Sequence, residues 1–287
     1  MRGLDGIPNH LPKPRAGWKR AGIDTLIPKF DQETAEVLSN DSIAEGIYVM
    51  RLVAPLVAAR AQPAQFVNIK TDPGLSPFLR RPLSILNADP CQGWIEIYYD
   101  VIGAGTERLG SLAVGTSVDL IGPLGLPFEP RSGHTLLIGG GVGIVPLAYL
   151  AWHSPKDRET MTLLMGAATS SRIPDLSRIV PADLTTVLAT DDGSIGHHGF
   201  VTELIEQHLH EETEILTCGP HAMMARIAEI ACEASVPCYA SLENHMACGF
   251  GACVGCGVEY KCSDREDRRY RRVCLEGPVV NASEIVW

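Results

Sequence analysis

Cys248, Cys253, Cys256, Cys262 and Cys274 crowd into one short C-terminal stretch, while Cys91, Cys218, Cys232 and Cys238 are scattered. Cys248-x4-Cys253-x2-Cys256 followed by a gap to Cys274 is the plant-type spacing for a 2Fe–2S cluster. Iron takes soft thiolate ligands, and three on one tight loop with a fourth on a returning segment can close a cage. The loop holds Gly249, Gly251, Gly255 and Gly257, which permit unusual backbone angles and let N–H groups approach sulfur. A structural zinc site is the competing chemistry, since Cys253-x2-Cys256 alone would suit one. Cys248 and the glycine density favour iron. Cys262 is a rival fourth ligand, but its close spacing suits a hairpin, so Cys274 is preferred. The run Arg265, Arg268, Arg269, Arg271 and Arg272 interleaves with Asp264, Glu266 and Asp267. It is most simply a solvated hairpin, with a docking surface as the alternative.

A second group of residues suits nucleotides. Gly139, Gly140, Gly141, Val142 and Gly143 follow an apolar run and open a helical one. Glycines let backbone approach a pyrophosphate, and a helix start favours its charge. The spacing is not the Gly-x-Gly-x-x-Gly fingerprint, and such a turn can also serve packing alone. Cys218, Gly219 and Pro220 end a later strand, where open α/β sheets place ligands; a buried cysteine before a turn is the plain alternative. Arg81, Pro82, Leu83 and Ser84 follow Arg80, and a guanidinium there could grip a phosphate bidentately. Gly105 and Thr106 at a helix start could meet another phosphate oxygen. Asp191-Asp192-Gly193-Ser194 reads as a turn, and His197 and His198 as exposed loop residues rather than an acid–base pair. Ser170, Ser171 and Arg172 follow a strand at a place where a 2′-phosphate could be recognised, which would favour NADP.

These residues need elements to hold them. Residues 47–53, 65–69, 94–99 and 117–121 are short runs rich in β-branched and aromatic residues, separated by turns. They predict a small antiparallel β-barrel over 31–130, with a helix near 105–112. The rhythm then changes. Strands at 134–138, 161–166, 185–189 and 214–217 alternate with helices at 145–152, 200–208 and 221–234, which predicts a parallel α/β sheet over 131–240. Residues 241–287 form the cysteine-rich remainder. Residues 1–30 hold Pro8, Pro12, Pro14 and Pro28, six basic residues and two acidic ones. They predict an extended arm, either a disordered tail or a strap around a partner subunit.

Composition narrows the function classes. The 287 residues are 45% hydrophobic and 20% charged, enough for a real core. A net charge of −10 argues against nucleic acid or an anionic membrane as the main partner. The long uncharged run at 135–152 is broken by glycines and Pro146, so a strand, turn and buried helix explain it better than a membrane span. No apolar segment follows Met1, so the expectation is a cytoplasmic protein.

Barrel, glycine turn and cysteine loop in this order resemble the ferredoxin reductase superfamily with a C-terminal 2Fe–2S domain. Within it the chain is most similar to electron-transfer subunits of type B dihydroorotate dehydrogenases. The resemblance runs from about Val37 to Val286. It rests on Arg81 to Ser84, Gly105-Thr106, Gly122-Pro123-Leu124-Gly125, Gly139 to Pro146, Asp191 to Ser194, Cys218-Gly219-Pro220, Ser241-Leu242-Glu243 before Met246-Ala247-Cys248-Gly249, and Cys274 with Gly277-Pro278-Val279. It implies FAD in the barrel, held by Arg81, Pro82, Leu83, Ser84, Tyr98, Tyr99, Asp100, Gly105 and Thr106. It implies NAD against the glycine turn and Cys218 to Pro220, and a cluster near the partner. That partner would be an FMN-containing catalytic subunit oxidising dihydroorotate to orotate for pyrimidine synthesis, two of each chain per assembly. A subunit of another redox complex (a hydrogenase, a sulfur reductase or a ferredoxin:NAD(P) oxidoreductase) is the alternative. A zinc-stabilised nucleotide-binding adaptor without catalysis is another. Three features depart from the pattern: Asp100 replaces a basic residue, Leu126-Pro127 replaces a polar turn, and the arm is additional.

Overall fold

The computed structural model describes residues 30–72, 74, 76–130, 133–154, 158–261 and 269–287. The arm before residue 30, Cys262, Arg265 and Arg268 lie outside the described residues. The first unit comprises β1 (Asp31–Ala44), β2 (Ile47–Val53), α1 (Pro55–Ala58), β3 (Phe66–Ile69), β4 (Arg81–Asp89), β5 (Trp94–Asp100), α2 (Ala104–Gly110) and β6 (Ser117–Leu124). Its six strands close in the order β1-β2-β5-β4-β3-β6. Closure leaves no unpaired edge. β1 makes closure possible by pairing twice, through Asp31–Glu36 with β6 and through Glu36–Ala44 with β2. Inward-facing Val37, Met50, Leu52, Val67, Ile69, Ile85, Ile95 and Ile97 fill the interior. Polar order there comes from Asn40, which accepts from Tyr99 Oη at 2.8 Å and donates to Leu109 O at 2.8 Å.

The second unit contains β7 (Thr135–Gly140), α3 (Ile144–His153), β8 (Met161–Ala167), β9 (Thr185–Thr190), β10 (His197–His198), β11 (Glu214–Cys218), α4 (His221–Glu233) and β12 (Cys238–Ser241). The C-terminal stretch adds β13 (Gly257–Glu259), β14 (Tyr270–Arg272), α5 (Val273–Glu276) and β15 (Val279–Asn281). The large sheet runs β10-β9-β8-β7-β11-β12-β15, parallel except for the last strand. Strand succession reverses between β7 and β11, and at such a switch point the strand ends part to leave a ligand crevice. The cysteine stretch is stitched into this sheet, since β15 pairs with β12. The Leu126 departure has a packing role: Leu126 N donates to Gly277 O at 2.6 Å.

Helix α3 explains the long uncharged run. Every residue from Ile144 to Ala151 is buried, because the sheet lies on one side and the barrel on the other. One apolar cluster joins Ile47, Val49, Leu86 and Tyr98 of the barrel to Leu137, Ile144, Leu147 and Leu163. Each such leucine or isoleucine contributes about 1.5–3 kcal/mol. Among the described residues no helix is long and apolar enough to cross a membrane. The helix expected over 200–208 is instead two 3₁₀ turns, Val201–Leu204 and Glu206–His208. Glu203 folds back to accept from Phe200 N at 3.2 Å, which favours the tight turn. His197 and His198 are an edge strand on β9 rather than loop residues, and His197 Nε2 lies 2.9 Å from Glu203 Oε2.

At the opposite end of the sheet, His134 is wedged between Thr162 Oγ1 (3.2 Å) and Thr213 Oγ1 (3.4 Å), with the His210 ring edge-on at 4.8 Å. Burial, then the nearby His210 and His208, lower its pKa below 6.5. A depressed histidine favours the folded state fully above its unfolded pKa and loses that contribution as pH falls through the folded value. Thermal stability is therefore expected to drop on acidification from about pH 7.5 to about 5.5, and His134→Gln to flatten part of that drop. Parallel melting curves of the two proteins check this; identical slopes would reject it.

Candidate functional site

The four expected cluster cysteines fall into two pairs. Cys256 and Cys274 are buried with their sulfurs 3.3 Å apart. Cys248 is half-buried and hydrogen-bonds exposed Cys253. Two pairs suit two irons sharing four thiolates. The local environment favours thiolate at Cys253 and Cys256, whereas the contact with Cys256, and then burial, raise the Cys274 thiol. Backbone amides of Cys248 and Gly255 hold the Cys253 thiol below its ordinary value, with Gly255 N 3.4 Å from Cys253 Sγ. Contact with Cys274 draws Cys256 down to about 6. Backbone ties fix the returning segment: Val273 N donates to Cys256 O at 3.1 Å, and Arg272 Nη1 to Gly251 O at 2.9 Å.

On the barrel, Arg81 to Ser84 open β4. A Cβ on Gly105 would lie 2.5 Å from Arg81 Nε, so the guanidinium lies flat on the first turn of α2. Arg81 Nη1 donates to Leu79 O at 2.6 Å. Thr106 Oγ1 accepts from Ile102 N at 3.0 Å, which shapes the same turn. A cation and a helix start thus share one spot, the arrangement a diphosphate needs. Leu83 packs toward the barrel interior, and Pro82 pairs with Asn68. Tyr98 is buried toward α3, and its hydroxyl has no hydrogen-bond partner among the described residues. Tyr99 departs from the expectation: successive strand residues face opposite ways, so its ring lies inside the barrel with Asn40. Asp100 ion-pairs with Arg172, whose Nη1 also donates to Glu45 O at 2.6 Å. This contact explains an acid where a base was expected. It also directs the Arg172 guanidinium toward the barrel.

The glycine turn and Cys218-Gly219-Pro220 meet at the switch point. Gly139 pairs with Cys218 across β7 and β11. A Cβ on Gly143 would lie 2.2 Å from Cys218 O, so only glycine permits this approach. Gly140 likewise faces Pro220 and Met223. Gly141 has φ +55° and open space before it. Val142 is half-buried beside the core. Burial pushes the Cys218 thiol well above its ordinary value, and Cys218 Sγ lies 3.9 Å from Glu243 Oε1. Glu243 is reached by solvent yet walled by protein, and that crowding raises its carboxyl pKa. Asp192 accepts from Ser194 N and Oγ, and Ser194 Oγ accepts from Ser170 N at 2.8 Å, so this turn braces the segment after β8.

Two contributors carried little signal as single residues. Asn68 is a fully buried amide in the strand Phe66-Val67-Asn68-Ile69, and its only mark was polarity within an apolar run. Arg172 pairs with Asp100 across 72 residues, beyond the reach of any local pattern.

Known proteins similar to this chain carry the corresponding domains. Residues 243–286 match the iron–sulfur cluster binding domain of dihydroorotate dehydrogenase B, and residues 137–229 an oxidoreductase NAD-binding domain. A dihydroorotate dehydrogenase B (NAD(+)) electron transfer subunit from Desulforamulus reducens is 36% identical, covering 88% of this chain and 97% of the relative. That from Geobacillus thermodenitrificans is 38% identical, covering 89% and 98%. Among solved structures, an NADH-dependent reduced ferredoxin-NADP oxidoreductase superposes with a TM-score of 0.76 at 28% identity, covering 88% of this chain and 90% of that one. The ferredoxin reductase of carbazole 1,9a-dioxygenase superposes with 0.63 at 26%, covering 72% and 67%. Identity at this level over nearly the full length of these relatives places the chain in the family of dihydroorotate dehydrogenase B (NAD(+)) electron transfer subunits.

Proposed function

We propose that this chain carries electrons between the FMN of a dihydroorotate-oxidising catalytic subunit and NAD+, through a 2Fe–2S cluster and FAD of its own. The carrying observation is adjacency. The strand beside the Arg81–Ser84 motif touches the Cys248 loop, and the glycine turn touches Cys218, which faces Glu243 at the start of the same loop. Flavin, when bound, exchanges electron pairs with nicotinamide and single electrons with iron. The chain's own residues place and shield these groups. Cys248, Cys253, Cys256 and Cys274 would hold the cluster. Arg81 and the Gly105-Thr106 turn would hold the FAD diphosphate, with Ser84 and Tyr98 toward its ring. Gly139 to Gly143 and Cys218 to Pro220 would receive the nicotinamide nucleotide. Arg172, tied to Asp100, supports NAD over NADP.

The flavin unit is assigned to 31–130, the nucleotide unit to 131–240 and the cluster unit to 241–287, after an arm at 1–30. A cytoplasmic assembly of two copies of each subunit completes the reading. The reading over another redox complex rests on the identity to dihydroorotate dehydrogenase subunits, which exceeds that to the ferredoxin-NADP oxidoreductase. Co-expression with an FMN-containing dihydroorotate dehydrogenase subunit tests the function. The expected result is a coloured complex with about one FAD and two irons per chain that reduces NAD+ with dihydroorotate. A colourless zinc protein without flavin would reject the reading.

A further inference from the structure

We infer that Asn68 is a positioning residue that ties the cluster loop to the flavin-binding strand; this rests on the cofactor reading above. β3 is buried along its whole length, and its residues alternate in role. Val67 and Ile69 fill the barrel. Phe66 turns outward into the apolar cluster that also contains Cys256, Val273 and Cys274. Asn68, on that same outer face, is fully buried, and its Nδ2 donates to Cys248 O at 3.0 Å. The outer face of β3 is thus the floor beneath the cysteine loop.

A strand buried on both faces has no need of an amide, and an amide buried without full partners is costly. Asn68 Oδ1 has no hydrogen-bond partner among the described residues. The position is held from behind: Asn68 pairs with Pro82 of the flavin motif, and its carbonyl accepts from Arg80 Nη1 at 3.3 Å. Arg80 is itself anchored by Asp119, with Nη2 2.6 Å from Oδ1. From the other side Gly249, at φ +78°, comes so close that a Cβ would lie 2.6 Å from Asn68 Nδ2. One side chain therefore spans from the neighbour of the flavin strand to the backbone of a cluster cysteine. Hydrogen-bonding partners just outside the ligands orient a metal site and tune its potential. Asn68 fixes the separation and angle between the two cofactor sites in this way.

The test compares the parent complex with Asn68→Leu, which keeps the volume and removes the donor, and with Gly249→Ala, which pushes the loop off Asn68. Iron, sulfide and FAD content establish loading. In both loaded variants the EPR spectrum of the reduced cluster and its midpoint potential are expected to shift, and its reduction by NADH to slow about tenfold. Loss of the cluster from Asn68→Leu with FAD retained also supports the tether. Loss of both cofactors would count against it, as a barrel defect. Loaded variants with the parent's spectrum and potential would overturn the inference alone. A parent without iron and sulfide would overturn the cofactor reading together with it.

Discussion

Cys274→Ala removes the cluster: bound iron and acid-labile sulfide fall to background, and dihydroorotate-dependent NAD+ reduction falls at least about 100-fold, the upper range for damage to a metal site. The expectation follows from position. Cys274 is completely buried on α5, its sulfur 3.3 Å from Cys256, while Cys248 and Cys253 form the other pair. Under the proposed ligation, losing one member would leave an iron short of a ligand. The other described cysteines are placed elsewhere: Cys218 and Cys238 are buried on the paired strands β11 and β12, Cys232 is exposed on α4, and Cys91 sits in the turn between β4 and β5. Ligand binding and local folding are coupled at such sites. Damage should stay local because Val273 N–Cys256 O, Arg272–Gly251 O and the β12–β15 ladder hold the segment without iron. FAD content should accordingly be retained. Cys91→Ala, on the exposed turn between β4 and β5, is the control. Full iron content in Cys274→Ala, with Cys262 now essential, would show that the fourth ligand had been misassigned.

The cysteine loop was legible because its chemistry demands local spacing. The glycine turn was legible because a backbone approach leaves glycine no substitute. The strands of the barrel showed through β-branched runs such as Ile47 to Val53, whereas β1 did not. Its sequence Asp-Gln-Glu-Thr-Ala-Glu-Val-Leu carries acidic and amide residues on the solvent face, and only Ala35 and Val37 are fully buried there. Pairing with two neighbours, not propensity, makes it a strand. The same limit applies to the site. Tyr98 and Tyr99 look equivalent in sequence, yet pleating sends one toward α3 and the other into the barrel. Asp100 with Arg172, and Asn68 with Cys248, are pairs made by the fold between distant segments. A charge or amide gains its meaning only when the partner arrives.

Gly143→Ala is expected to damage nucleotide binding and stability together. The residue has φ −64° and ψ −8°, angles alanine adopts freely, so conformation carries no penalty. The cost is contact. The added Cβ would sit 2.2 Å from Cys218 O, 2.4 Å from Cys218 C and 2.5 Å from Gly219 N, all backbone atoms with no rotamer to yield. β7 and β11 are hydrogen-bonded neighbours at this level, so Cys218 cannot retreat without breaking the ladder. The start of α3 must move instead, and α3 is packed on every side. Overpacking of this kind costs about 3 kcal/mol, the upper part of its usual range. In a chain of this size that lowers the melting temperature by about 6–12 °C. The turn that would face the diphosphate shifts with it, so KM for NADH should rise. Gly141→Ala separates the two effects. Its φ of +55° strains alanine by about 1–2 kcal/mol, but open space surrounds the site. The Gly141 variant should therefore melt nearer the parent than the Gly143 variant does. If Gly143→Ala melts with the parent and binds NADH normally, the close approach of the glycine turn to Cys218 is not what shapes the crevice.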